Sequence, residues 1–129
     1  FRRVLFRSDR SKITQILLNL IMNAEESLIA SQNTPKSLKI TSFHIKDGGI
    51  QIEVADNGSG IEPEVMNKLF SYGFTTKQFG HGLGLHASAI AANEMNGTLQ
   101  AFSAGKNKGA TFILTLPNQE LASLINQHA

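Results

Sequence analysis

Residues 50–61 read IQIEVADNGSGI, and this stretch decides the fold. Ile50, Ile52 and Val54 alternate with polar residues, which is the period of a half-buried β-strand. Asp56 continues the same parity, so we expect its carboxylate on the buried face where the strand ends. Burial without a hydrogen-bond donor would cost several kcal/mol. Asp56 is therefore either a capping residue of a turn or an acceptor for an amino group on a ligand.

Two glycines, Gly58 and Gly60, follow this carboxylate directly. Glycine allows a positive φ and lets a flat ligand approach the backbone closely. A plain turn would use the same residues, so the pair alone does not decide between a turn and a binding site.

The flanking segments predict helices and strands that form two layers. Residues 9–31 place apolar side chains at steps of three and four, as an amphipathic helix does, and Asn33-Thr34-Pro35 ends it. The other predicted elements are strands at 38–45, 50–56, 98–103 and 110–116, turns at 47–49 and 105–109, a short helix from Pro63 to near Phe70, a loop at 71–83, and a helix at 85–96 with Gly97 at its C′ position. We expect an α/β (α+β) two-layer sandwich, with helices on one face of a mixed, mostly antiparallel sheet.

A second glycine-rich segment opens the last predicted helix: residues 80–85 read GHGLGL. Backbone N–H groups at the positive end of a helix form an anion site that suits phosphate. The segment is not a P-loop, because no Gly-Lys-Ser/Thr follows, and its spacing is not that of a dinucleotide-binding fingerprint. A flexible loop is the alternative.

Asn19 and Asn23 lie four residues apart on the first helix and share a face. An amide oxygen is a suitable ligand for Mg²⁺, which prefers oxygen donors. The alternative is a pair of asparagines that face solvent or pair two helices.

Taken in order, these segments resemble the motifs of the ATP-binding domains of sensor histidine kinases. The matching segments are residues 15–24 (N box), 56–61 (G1 box), 69–77 (F box), 80–85 (G2 box) and 109–117 (closing G3 strand). The resemblance implies the Bergerat ATP-binding fold over residues 9–117, with ATP and Mg²⁺ as cofactors.

The resemblance also assigns roles to residues. Asp56 would accept the adenine amino group, Asn23 with Asn19 would hold Mg²⁺, and residues 70–83 would form the ATP lid. The implied ATP-binding residues are Asn19, Asn23, Asp56, Gly58, Gly60, Ile61, Phe70, Thr76, Lys77, Gly80, His81, Gly82, Leu83, Gly84 and Leu85.

The chain departs from commoner kinases at several positions. Glu26 and Ser27 stand where many relatives carry a lysine and a tyrosine, and Lys77 in the lid is the candidate replacement cation. Ala110 offers no hydroxyl near adenine, and we interpret His86 as a packing variation.

The function implied is transfer of the γ-phosphate of Mg-ATP to a histidine on a separate, upstream dimerisation and phosphoacceptor domain, in two-component signalling. Relatives that hydrolyse ATP carry a glutamate base where this chain has Asn19. The chain's histidines, His44, His81, His86 and His128, do not lie in a phosphoacceptor pattern, so no catalytic residue is assigned here. The alternatives are an anti-sigma-type serine kinase and a nucleotide-binding module without catalysis.

Composition sets the remaining expectations. The 129 residues predict about one domain, and the absence of cysteine excludes disulfides and thiolate metal sites. No apolar run approaches the ~20 residues of a membrane span. We expect a cytoplasmic domain that makes no membrane contact itself, and the sequence leaves open whether its parent protein has a membrane anchor. A response regulator is expected as an indirect partner.

The first eight residues, FRRVLFRS, resemble the translation of a common sequencing adapter. We expect residues 1–8 to be a non-native or linker segment, and residues 118–129 a short helix or tail. Without Arg2, Arg3 and Arg7 the net charge falls from +2 to −1, because nine basic residues then face ten acidic ones. A nucleic-acid partner therefore has no support from charge.

Overall fold

The computed structural model describes residues 2–46, 48–71, 73 and 84–118, with side chains from Arg10 onward. Within these ranges the elements are α1 (Arg2–Ala30), β1 (Leu38–His44), β2 (Ile50–Asp56), α2 (Pro63–Met66), α3 (Gly84–Glu94), β3 (Thr98–Phe102) and β4 (Ala110–Leu116). Most of the predicted loop at 71–83, the tail from residue 119 onward, and Asp47 of the first predicted turn lie outside the described residues.

The four strands form one sheet in the order β1-β2-β4-β3, and each neighbouring pair is antiparallel. In the register of β2 and β4, Val54 lies opposite Phe112 and Asp56 lies opposite Ala110. The two-layer sandwich is confirmed. We expected a mixed, mostly antiparallel sheet, and in the described strands every neighbouring pair is antiparallel. This register brings the end of β2 against the start of β4, so that Asp56 lies beside Ala110.

The helices cover one face of the sheet, α1 over β2 and α3 over β3 and β4. Ile16, Leu20 and Leu114 are fully buried between the two layers. The predicted inward parity of β2 is confirmed at Val54, which is also fully buried. Burial of such side chains stabilises the fold by roughly 1.5–3 kcal/mol each and holds the two helices against the sheet.

Three predicted helix boundaries were wrong. Helix α1 begins at Arg2, seven residues before the predicted start, since residues 2–9 contain neither proline nor glycine to stop the helix. Helix α2 ends at Met66 instead of near Phe70, and residues 67–70 form turns.

Helix α3 ends at Glu94, two residues before the predicted end, and its C′ position comes one residue earlier than predicted. Asn96, with φ of 60°, occupies the left-handed C′ position that we assigned to Gly97. The Gly97 N–H donates to Ala92 O at 2.8 Å, as the C″ residue of a Schellman motif does. Gly97 is required for another reason: a Cβ there would lie 2.3 Å from Thr115 O on β4.

Candidate nucleotide site

The carboxylate of Asp56 lies at the end of β2 and is 9% exposed, so the inward orientation predicted from strand parity is confirmed. Its Oδ1 accepts hydrogen bonds from Ser27 Oγ at 3.0 Å and from Gly58 N at 2.8 Å. Its Oδ2 is buried and has no partner among the described residues. Because a buried carboxylate oxygen without a donor is costly, this atom fits an amino group supplied by a ligand.

The turn after Asp56 needs glycine at two positions. A Cβ on Gly58 would lie 2.3 Å from Ser27 Oγ, because α1 approaches the turn closely. Gly60 has φ of 71°, and a Cβ there would lie 2.1 Å from Gly105 O. Positive φ and close backbone approach are the two conditions that favour glycine, so these residues hold the shape of the turn.

The turn between β3 and β4 holds the Asp56 turn in place from the other side. Asn107 N donates to Ser59 O at 2.7 Å, and Gly109 N donates to Gly58 O at 3.2 Å. Ser103 Oγ accepts from Ile61 N at 2.9 Å. The backbone around the unpartnered carboxylate oxygen is therefore fixed before any ligand binds.

Asn33 adds a third attachment to the same turn. Its Nδ2 donates to Asn57 O at 3.0 Å and to Asn107 O at 2.8 Å. Sequence analysis missed Asn33 and Ser103 as supports of the site. A local pattern did not reveal them, since their partners lie 24 to 74 residues away along the chain.

The two asparagines of α1 have different surroundings. Asn19 Nδ2 donates to Ser88 Oγ at 3.0 Å and to Gly84 O at 3.3 Å, so it pairs α1 with α3. Asn23 is half-buried one turn later on the same helix. Asn19 thus makes the helix-pairing contact that was one of the interpretations of its position. Its amide nitrogen donates to α3, and its Oδ1 lies near Gly84.

A hydrogen bond joins Phe70, the first residue of the predicted lid, to His86 on α3. His86 Nδ1 lies 2.9 Å from Phe70 O, and the Phe70 ring meets Phe112 edge-on with centroids 6.4 Å apart. His86 is therefore a polar contact and not the simple packing variation that we expected. Gly84 is the first residue of α3, and Leu85 packs against the core.

Several predicted site residues lie outside the described part of the chain: Thr76, Lys77, Gly80, His81, Gly82 and Leu83. Among the described residues no group of three or more His, Cys, Asp or Glu side chains is placed to hold a metal ion. In that same part of the chain, helices of the length and apolarity needed to cross a bilayer are absent.

Comparison with known proteins identifies the family. The sequence model of one protein family, the histidine kinase-, DNA gyrase B- and HSP90-like ATPases, matches residues 8–120, nearly the whole chain. The chain belongs to this ATPase family. The resemblance drawn from the sequence motifs is thereby confirmed, and so is the histidine-kinase branch, because the relatives described next are sensor kinases.

Curated relatives within the family are two-component sensors. The chain is 40% identical over 110 residues to the sensor protein FixL of Bradyrhizobium diazoefficiens, which covers 85% of this chain and 21% of FixL. It is 36% identical over 110 residues to the signal transduction histidine-protein kinase AtoS of Escherichia coli, covering 85% of this chain and 17% of AtoS. The chain therefore spans about a fifth of the length of these relatives.

Solved structures of the family have the same fold. The catalytic domain of histidine kinase ThkA, free of nucleotide, is 32% identical with a TM-score of 0.70, and the match covers 84% of this chain and 69% of that one. ShkA in complex with AMPPNP is 27% identical with a TM-score of 0.69, covering 82% of this chain and 21% of that one. The family is thus one of ATP-binding domains, and in ShkA the bound ligand is an ATP analogue.

Proposed function

We propose that this domain binds Mg-ATP and positions its γ-phosphate for transfer to a histidine on a separate domain of its parent sensor kinase. The buried, unpartnered Oδ2 of Asp56 is the observation that supports the proposal most directly. An adenine ring offers an exocyclic amino group, a neutral donor that matches this acceptor. A hydrogen bond to a charged group contributes about 1.5–3 kcal/mol, more than a neutral pair.

Magnesium fits the amide face of α1. Asn23 is half-buried and, with Asn19 one turn away, offers neutral oxygen ligands beside the start of α3. Mg²⁺ is usually held by one or two protein oxygens together with phosphate oxygens and water. When bound, the ion would neutralise charge on the phosphates, and the asparagines would orient it.

Transfer is favoured over hydrolysis by the residue at position 19. Asn19 stands where hydrolysing relatives carry a glutamate base, and its amide nitrogen is bonded to α3. An amide does not accept a proton from water at neutral pH, so attack by water lacks general-base assistance. The domain then contributes position and charge neutralisation, which are the main requirements of phosphoryl transfer.

In the transfer step no residue of this chain forms or breaks a covalent bond. A neutral imidazole nitrogen of the acceptor forms the new P–N bond as the bond from the γ-phosphorus to the bridging oxygen breaks. ADP leaves with the electron pair, and the proton of the phosphorylated imidazole is released to solvent. We also propose that the domain is cytoplasmic and that a response regulator is an indirect partner through its parent sensor.

Calorimetry tests the nucleotide site. We expect Asp56→Ala to weaken Mg-ATP binding at least tenfold, because adenine loses its charged acceptor. Glu53→Ala is the matched control, since Glu53 lies on the same strand and faces away from the helices; its affinity should stay within twofold of the parent domain. Equal affinity of the Asp56→Ala variant and the parent would overturn the adenine assignment.

A phosphorylation assay tests the transfer step. We expect the domain alone to acquire no acid-labile label from γ-labelled ATP, and a histidine phosphoacceptor domain from a sensor kinase to become labelled when added. Label on a serine of an added protein would favour an anti-sigma-type kinase. Binding of ATP without transfer to any acceptor would favour a module that only binds nucleotide.

A further inference from the structure

The hydroxyl of Ser27 lies behind the adenine-binding carboxylate. Ser27 is on α1, one turn after Asn23, and its Oγ lies 3.0 Å from Asp56 Oδ1. The same oxygen accepts from Ser59 N at 3.0 Å and lies 3.2 Å from Ser59 Oγ. One side chain of α1 therefore contacts both the carboxylate and the turn that follows it.

The chemistry of the groups fixes the direction of these hydrogen bonds. An ionised carboxylate accepts only, so the single hydroxyl proton of Ser27 is used at Asp56. The 3.2 Å contact between the two hydroxyls must then be donated by Ser59. The result is a chain of donors from Ser59 through Ser27 to Asp56.

These hydrogen bonds give the two carboxylate oxygens of Asp56 different numbers of donors. Oδ1 takes two donors, the Ser27 hydroxyl and the Gly58 N–H, whereas Oδ2 takes none among the described residues. The terminal torsion of aspartate is broad, so a carboxylate with one anchor can turn about its axis. Two donors converging on Oδ1 hold the plane of the carboxylate and direct Oδ2 away from α1.

We infer that Ser27 is a positioning residue that aims Asp56 Oδ2 at the amino group of adenine and so strengthens selection for a 6-amino purine. The inference rests on the proposed function, in which Asp56 is the adenine acceptor. In this inference Ser27 acts through Asp56, to which its hydroxyl donates. The need for glycine at position 58, where a Cβ would lie 2.3 Å from Ser27 Oγ, follows from the same close approach.

The backbone allows the hydroxyl to be removed without detaching the turn. Ser59 N lies 3.1 Å from the carbonyl oxygen of Ser27 as well as near its hydroxyl. The turn is also held by Asn107 and Gly109 from the β3–β4 side. We therefore expect Ser27→Ala to fold, with Asp56 retaining only its contact to Gly58 N.

The test uses two ligands that differ in one group: ATP and purine riboside 5′-triphosphate, which carries hydrogen in place of the amino group. Calorimetry with Mg²⁺ should show that Ser27→Ala binds ATP about tenfold more weakly while its affinity for the purine analogue changes less than twofold. The preference for ATP then falls about tenfold. Ser27→Thr keeps the hydroxyl and should restore most of that preference.

Ser59→Ala is the matched control, because it removes a hydroxyl of the same network and leaves the Ser27 contact to Asp56 in place. Its preference for ATP should stay within about twofold of the parent domain. Equal losses for both ligands in Ser27→Ala would show that Ser27 holds the pocket's shape and would overturn the inference.

An unchanged preference in Ser27→Ala would overturn it as well. If Asp56→Ala still loses ATP affinity in that case, the proposed function stands without Ser27. If the parent domain binds both ligands equally, amino-group recognition by Asp56 fails and the inference about Ser27 fails with it, whereas the phosphorylation assay still decides whether the domain transfers phosphate.

Discussion

His86 Nδ1 lies 2.9 Å from Phe70 O and so joins the first turn of α3 to the segment that follows α2. A carbonyl oxygen only accepts, so the Nδ1 atom must carry the proton. The chain between these two residues includes the predicted lid. The hydrogen bond therefore links Phe70, where the predicted lid begins, to α3, which follows it.

This contact predicts a modest loss of stability in His86→Ala. The Phe70 carbonyl loses its donor, and we expect the free energy of unfolding to fall by about 1 kcal/mol in urea denaturation. His44→Ala, an exposed residue on edge strand β1, should change it by less than about 0.5 kcal/mol. Equal effects of the two substitutions would show that the His86 contact does not stabilise the fold.

Alanine substitutions of Asn19 and Asn23 should distinguish a role in stability from a role in Mg²⁺ binding. Asn19→Ala removes the hydrogen bond to Ser88, which is 2% exposed, and we expect a loss of about 1 kcal/mol or more in unfolding free energy. Asn23→Ala should leave stability within about 0.5 kcal/mol of the parent but remove most of the Mg²⁺-dependent part of ATP affinity. Urea denaturation, with calorimetry in Mg²⁺ and in chelator, measures both; a large stability loss in Asn23→Ala would argue for a structural role instead.

Local pattern was sufficient to place the central strands and the direction of Asp56. The alternation around Val54 set the face of β2. The bounds of β4 agree with the prediction, and its residues are buried and half-buried in strict alternation. Parity then carried over to Asp56, the one site residue whose burial was predicted from the residues themselves.

The residues that hold the site in place could not be predicted from local sequence patterns. Ser27 and Asp56 are 29 residues apart, and Ser103 and Ile61 are 42 apart, so their contacts depend on how α1 and the β3–β4 turn dock on the sheet. The C′ residue of α3 was misplaced for a related reason: asparagine also adopts positive φ, and Gly97 was needed for its close approach to β4.

Gly60 and Gly84 should respond in opposite ways to alanine. At Gly60 the positive φ and the 2.1 Å approach to Gly105 O both oppose a Cβ, and we expect Gly60→Ala to lose at least about 2 kcal/mol of unfolding free energy. At Gly84 the nearest atoms, on Asn19, lie 3.8 Å away, an ordinary contact. Since alanine is the better helix former, Gly84→Ala should be unchanged or up to about 1 kcal/mol more stable.

Thermal and urea denaturation of the two variants give the comparison directly. A Gly84→Ala domain that is stable but binds ATP weakly would assign that loss to the phosphate end of α3 and not to folding. A Gly60→Ala domain as stable as the parent would contradict the tight approach of the two turns.

Ser103 connects the Asp56 turn to the β3–β4 turn, and its loss should weaken both. Its Oγ accepts from Ile61 N at 2.9 Å and donates to Gly109 O at 2.7 Å. Ser103→Ala leaves these partly buried backbone groups without partners, so we expect unfolding free energy to fall by about 2 kcal/mol and ATP affinity to fall with it. Ser42→Ala, exposed on β1, is the control. Because Asp56 lies between the two turns, loss of stability with unchanged ATP affinity would show that the carboxylate is positioned from the α1 side alone.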